Sequence, residues 1–176
     1  MMVLPRSPYH LIPDFWAQSF VAGVQARDGG DTPEDVHGAL HKAMQMDWGI
    51  GGSKTRVLVH IADAPCHGTK YHACGGDSYP GGDPHGLQSE ELLRGLRQLG
   101  VCYSFGRINS STDRMVELFD KEAGGGYISS CEVADCRAIT SVVTATLRAS
   151  ICRTRETLLS GLSIGGASRA SAVPRG

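Results

Sequence analysis

Six consecutive residues, Val57-Leu58-Val59-His60-Ile61-Ala62, set the frame for this chain. The run is short, rich in β-branched and aliphatic side chains, and bounded by Lys54-Thr55-Arg56 before it and Asp63-Ala64-Pro65 after it. That pattern predicts a buried strand. It ends on an acid followed by a loop containing proline and glycine. In open α/β sheets, ligands gather in the crevice beyond the carboxyl ends of the strands. Asp63 is therefore the first candidate for a ligand or a catalytic group.

The chain on either side predicts alternating helices and strands. Asp14 is a candidate N-cap for a helix whose core face is Trp16, Phe20 and Val24. Thr32-Pro33 fits an N-cap followed by proline at the first helical position, with Asp35 in the manner of a capping box. Val36, Leu40, Ala43 or Met44, and Trp48 then mark a buried helix face. After Asp63 comes a long irregular loop, 64–87, of a length usually found at functional segments. Ser89 is placed to cap a helix with Leu92, Leu96 and Leu99 on one face, and Gly100 to end it. Val101–Ile108 reads as a strand, Asp113–Phe119 as a short helix and Tyr127–Ser129 as a strand. Asp135 to about Leu159 reads as a last helix, with Ile139, Val142, Val143, Leu147 and Ile151 in helical period. The expected domain spans 14–159, between an irregular segment 1–13 and a disordered Ser/Gly/Ala/Arg-rich tail 160–176.

Composition narrows the function classes. With 17 Lys+Arg against 18 Asp+Glu, the net charge of −1 gives no electrostatic reason to bind nucleic acid or an anionic membrane. No apolar run is long enough to span a bilayer. Six cysteines occur without a leader-like apolar segment at the start, and several sit inside apolar periodic stretches. The reading is a reduced, cytoplasmic chain.

Three segments carry a resemblance: Gly29-Gly30-Asp31-Thr32-Pro33-Glu34-Asp35-Val36, the run Val57 to Gly68, and Asp77-Ser78-Tyr79-Pro80 with Gly82-Asp83-Pro84. In this order and spacing the chain resembles the von Willebrand factor type A (VWA) domain, in the intracellular form found beside atypical α-kinases, over about Asp14 to Phe119. The resemblance implies a partial doubly wound, Rossmann-like parallel sheet flanked by helices. It also implies a metal-ion-dependent adhesion site, in which Thr32 matches the site's Thr and Asp63 its last Asp. Hard oxygen ligands of that kind suit Mg²⁺. The D-x-S-x-S motif of the family is absent, and too few residues precede Gly29 to hold the first strands. The expectation is thus the second half of a VWA domain, with a degenerate site binding Mg²⁺ weakly through Thr32 and Asp63 and with Asp31 as a further candidate; micromolar binding would instead mean that Asp31 or Asp83 completes the shell.

Each of these residues also has a plainer role. Thr32 is equally a helix N-cap, and Asp63 a turn acid bonded to nearby backbone N–H groups. Cys66, His67, His72 and Cys74 form a second constellation that could hold Zn²⁺. Cys66 with His67 or His72 could instead form a nucleophile–base pair. His60 reads as a packed strand histidine, and His37 and His41 as neighbours on a solvated helix face. The resulting expectation is a non-enzymatic interaction module with a protein partner, prone to self-association through the uncovered edge of the Val57–Ala62 strand. The alternative is a small zinc- or cysteine-dependent hydrolase built on the Cys66–Cys74 loop.

Overall fold

A computed structural model of the chain describes residues 29–49, 55–133 and 143–148, together with 19, 22–25 and 151. The chain divides into two compact units, residues 1–30 and 31–176. In the first, Ser19, Ala22 and Gly23 are helical and Val24 is exposed, so Val24 does not serve the core face expected of it. Asp14, Trp16 and Phe20 lie outside the described residues.

The second unit is built on three parallel strands in the order β1-β2-β3: β1 (Arg56–Ala62), β2 (Val101–Arg107) and β3 (Ile128–Glu132). Helix α1 (Val36–Met44) precedes β1, α2 (Ser89–Gln98) links β1 to β2, and α3 (Asp113–Glu122) links β2 to β3 after a 3₁₀ turn at Ser110–Thr112. Parallel neighbours need such crossovers, because a hairpin cannot return the chain in the same direction. This is the α/β class, a three-stranded parallel sheet with flanking helices, consistent with the Rossmann-like arrangement that the alternation implies.

Alternation along the strands sorts the two faces. Val101, Tyr103 and Phe105 point to one side and are buried with Val36, Leu40 and Ala43 of α1, Leu92, Leu93 and Leu96 of α2, and Met115 and Phe119 of α3. In register with them, Leu58 pairs with Tyr103 and His60 with Phe105. The opposite face carries Ser104, whose hydroxyl lies 2.8 Å from that of Thr146 in the helical segment 143–148. There Gly106 packs so closely that an added Cβ would stand 2.9 Å from Val133 and 3.0 Å from Ile61. Among the described residues β1 pairs with β2 alone and forms one edge of the sheet.

Several local expectations are corrected by packing. Helix α1 starts at Val36, not after Thr32, and Asp35 is its cap, accepting the Gly38 N–H at 2.8 Å. The reason is a bridge between Glu34 and Cys66, with Glu34 N–H bonded to the Pro65 carbonyl at 2.8 Å. It holds the preceding residues out of the helix. Ser89 sits inside α2, fully buried, rather than capping it. Leu93 takes the core position expected of Leu99, which lies past the last turn and is exposed. Leu147 and Ile151 are likewise exposed. His37 is buried, 2% exposed, with its ring against Tyr71 and Phe119. Burial lowers its pKa, because the imidazolium would have to leave water. His60 is the packed strand histidine expected: it shares a 2.7 Å hydrogen bond with Tyr103 and stands edge-on to Phe105.

Candidate functional site

The loop that leaves β1 is ordered by its own polar groups. Its first residues turn at the carboxyl end of the strand, where the Asp63 carbonyl accepts from Asn109 Nδ2 at 2.9 Å and from Ser111 Oγ at 2.6 Å. Ala64 through Gly68 are buried. Gly68 has φ +107°, and an added Cβ would come within 3.1 Å of Gly82 Cα, so the close crossing of the loop on itself demands glycine there. Tyr71 plugs the loop into the core and shares a 2.6 Å hydrogen bond with Ser89, whose hydroxyl donates to Glu122.

Asp77 is the centre of this loop. Its side chain is 2% exposed and its two oxygens accept four N–H groups. Oδ1 takes His67 Nδ1 at 2.8 Å and Tyr79 N at 2.8 Å. Oδ2 takes Gly68 N at 2.8 Å and His72 Nε2 at 3.0 Å. Burial raises the carboxyl pKa, but the bonds from Gly68, His67, Tyr79 and His72 together outweigh it and hold the group at about 2. The Cys74 N–H donates to His72 Nδ1 at 3.1 Å, which leaves the proton of neutral His72 on Nε2, facing Asp77.

Asp31 closes the arrangement from the loop before α1. It accepts the Ser78 N–H at 2.6 Å, the main reason its pKa is lowered, and its Oδ2 stands 3.9 Å from His67 Nδ1. Asp31, His67 and Asp77 each offer one ligand atom, all within 4.8 Å of one another. A triad able to hold a metal ion is therefore present.

The residues singled out from sequence distribute unevenly around this centre. His67 and Asp31 belong to it, and His72 supports it through Asp77. Cys66 is fully buried, its thiol pKa pushed up by burial, and its N–H points at Met115 Sδ at 3.1 Å. Cys74 meets the network through its backbone. Cys66, Cys74, Cys102 and Cys131 are all free thiols. Thr32 and Asp63 are exposed, on the two loops that the Glu34–Cys66 bridge joins at the end of β1. Among the described residues, no cluster of three ligating His, Cys, Asp or Glu side chains includes Asp63. An exposed hydroxyl and an exposed carboxylate are a poor fit to the near-octahedral oxygen shell of tightly held Mg²⁺. Asp83 accepts the His85 and Leu87 N–H groups at 2.9 and 3.0 Å and shapes its own turn.

Asp77 was the residue that sequence reasoning missed. Its signal was nonetheless present: an Asp two residues before a backbone N–H it can accept, inside a Gly/Ser/Tyr/Pro stretch, is a turn former by composition. Only the fold shows that two histidines upstream converge on it.

No family model matches this chain. Over 104 residues it is 47% identical to "Alpha-protein kinase vwkA" of Dictyostelium discoideum. The chain is similar to part of an α-protein kinase. The matched stretch covers 58% of this chain and 16% of that relative's length. Among the described residues, no helix is long and apolar enough to cross a membrane.

Proposed function

We propose that this chain is a VWA-like, non-enzymatic protein-interaction module of an α-kinase-associated protein acting in the cytoplasm. One observation carries the reading: the similarity to an α-protein kinase, 47% over 104 residues, falls on a chain whose described core is a parallel α/β sheet. In such sheets the loops at the strand carboxyl ends are the recognition surface. Here those loops are held by hydrogen bonds rather than left loose, which lowers the ordering cost of docking a partner. Thr32 and Asp63 are then a degenerate remnant of the adhesion site, binding Mg²⁺ no better than an isolated carboxylate, on the order of millimolar.

Buried Cys66, with its raised thiol pKa, offers no thiolate at neutral pH, which favours the module over a cysteine hydrolase. Among the described residues β1 is paired on one edge alone, which supports association with a strand of a partner or of a second copy. Size-exclusion chromatography with light scattering over a concentration series, run beside ester and amide turnover assays, is the test. The module reading expects association that rises with concentration, and no turnover. A monodisperse monomer that hydrolyses these substrates, and loses that activity on Cys66→Ala, would overturn it.

A further inference from the structure

We infer that Asp31, His67 and Asp77 form a binding site for a zinc-class divalent ion, distinct from the Thr32/Asp63 pair and independent of the thiols. The first argument is charge. Asp77 is 2% exposed and Asp31 14% exposed at the side chain, and their ligand atoms lie within 4.8 Å of each other and of His67. Among the described residues neither pairs with a Lys or Arg; the ion pairs of Lys70, Arg94 and Arg107 go to Glu122, Glu90, Asp113 and Glu132. Buried carboxylates are ordinarily paired with a cation or bound to a metal. The partners the fold supplies to Asp77 are imidazoles and amides, which carry no permanent positive charge.

The second argument is spacing. Zinc bonds to nitrogen and oxygen of 2.0–2.2 Å place tetrahedral ligands about 3.3–3.6 Å apart, a span that the two distances from His67 bracket. From His67 Nδ1, Asp77 Oδ1 lies at 2.8 Å and Asp31 Oδ2 at 3.9 Å. An ion at this point takes the place of the Nδ1 proton that His67 now shares with Asp77, and neutral His67 then carries its proton on Nε2.

The third argument is support. His72 Nε2–H, fixed in that tautomer by Cys74 N–H, orients Asp77, as do Gly68 N–H and Tyr79 N–H, while Ser78 N–H orients Asp31. Outer-shell bonds of this kind hold the ligands of established metal centres. One imidazole with two carboxylates is a donor set for zinc and its first-row neighbours rather than for Mg²⁺ or Ca²⁺, which take oxygen. Three protein ligands leave a coordination position for water or for a group on a partner.

The test uses the full chain, stripped with chelator and then titrated calorimetrically with ZnCl₂ and separately with MgCl₂. Zinc should bind one per chain, at least tenfold more tightly than magnesium. Asp31→Asn, which keeps an acceptor for Ser78 N–H, should weaken zinc at least tenfold; loss of outer-shell groups alone costs about 10–100-fold. Its metal-free urea midpoint should stay at the wild-type value. Wild-type protein loaded with Co²⁺ should show no thiolate-to-cobalt charge-transfer band, and this readout stands even if the variant does not fold. Zinc binding no tighter than magnesium, unchanged zinc affinity in Asp31→Asn, or a thiolate band would each overturn the assignment.

Discussion

Replacing Asp77 by Asn keeps the size of the side chain but removes its charge and one of its two acceptor oxygens. The four donors divide evenly, His67 Nδ1 and Tyr79 N on one oxygen, Gly68 N and His72 Nε2 on the other. An amide can serve one pair only. The better orientation turns its oxygen toward Gly68 and His72, because Cys74 N–H pins the His72 tautomer. His67 can move its proton to Nε2 and accept from the new NH₂ group. Tyr79 is exposed, so its N–H can turn to water. Even so, two charge-assisted bonds are lost and two weakened, at about 1.5–3 kcal/mol for each bond to a charged group before these rescues. An independent figure comes from the depressed pKa. A shift from 3.8 to about 2 corresponds to ~2.5 kcal/mol, and solvent close to this surface loop reduces that to about 1–2 kcal/mol. The two figures describe overlapping effects, so the expected loss is about 2–4 kcal/mol.

Urea unfolding in chelator at pH 7 measures it, as a fall in midpoint at unchanged slope. The pH dependence has a fixed sign. The folded pKa lies below the unfolded value, so the stabilisation is complete above about pH 4. It is lost as the pH falls through about 2, and the gap between wild type and variant should close over that window. A variant within 0.5 kcal/mol of wild type at pH 7, as an order-of-magnitude resolution limit, would show that Asp77 does not organise the loop.

Other groups give simpler expectations. Burial holds His60 at about 4, below its ordinary 6.5, so its contribution is present above pH 6.5 and lost as the pH falls toward 4. His60→Gln should flatten that part of the stability profile by up to about 3 kcal/mol, read from urea midpoints at successive pH values; an unchanged slope would show that His60 is not the titrating group. Gly106→Ala should cost about 1–3 kcal/mol, since its Cβ would meet Val133 and Ile61 at 2.9 and 3.0 Å on the packed sheet face. Gly95→Ala should be near neutral or slightly stabilising in the same assay: the obstacle is the flexible end of Met44, and alanine is favoured over glycine in a helix by about 1 kcal/mol. Equal costs at the two sites would contradict this account of the packing. Asp120 accepts the N–H groups of Gly126, Tyr127 and Ile128 at 2.9, 2.7 and 2.8 Å, and so fixes the start of β3. Asp120→Ala should lose about 2–3 kcal/mol, with early amide exchange at Tyr127 and Ile128.

The α/β class, the three strands and the crossover helices were legible in the sequence because each depends on a local period. Val57–Ala62 and Val101–Arg107 are short apolar runs between turn residues, and the Leu92/Leu96 and Met115/Phe119 spacings repeat as helices do. Gly100, at φ +70°, ended α2 as its position implied, since a helix terminus selects glycine through backbone sterics alone. Tertiary structure decided what local period cannot encode. Thr32 lost its expected cap because Glu34 pairs with the loop after β1, in a contact between segments distant in the chain. His37 left the solvated face because Tyr71, from a loop of no regular pattern, reached it. The centre at Asp77 likewise draws on Asp31, His67 and His72, three positions whose spacing follows no period. Their convergence comes from the bridge at Glu34, the glycine crossing at Gly68 and the burial of Tyr71. Hydrogen bonds and ion sites are selected by distance in space, whereas the sequence lists only distance along the chain.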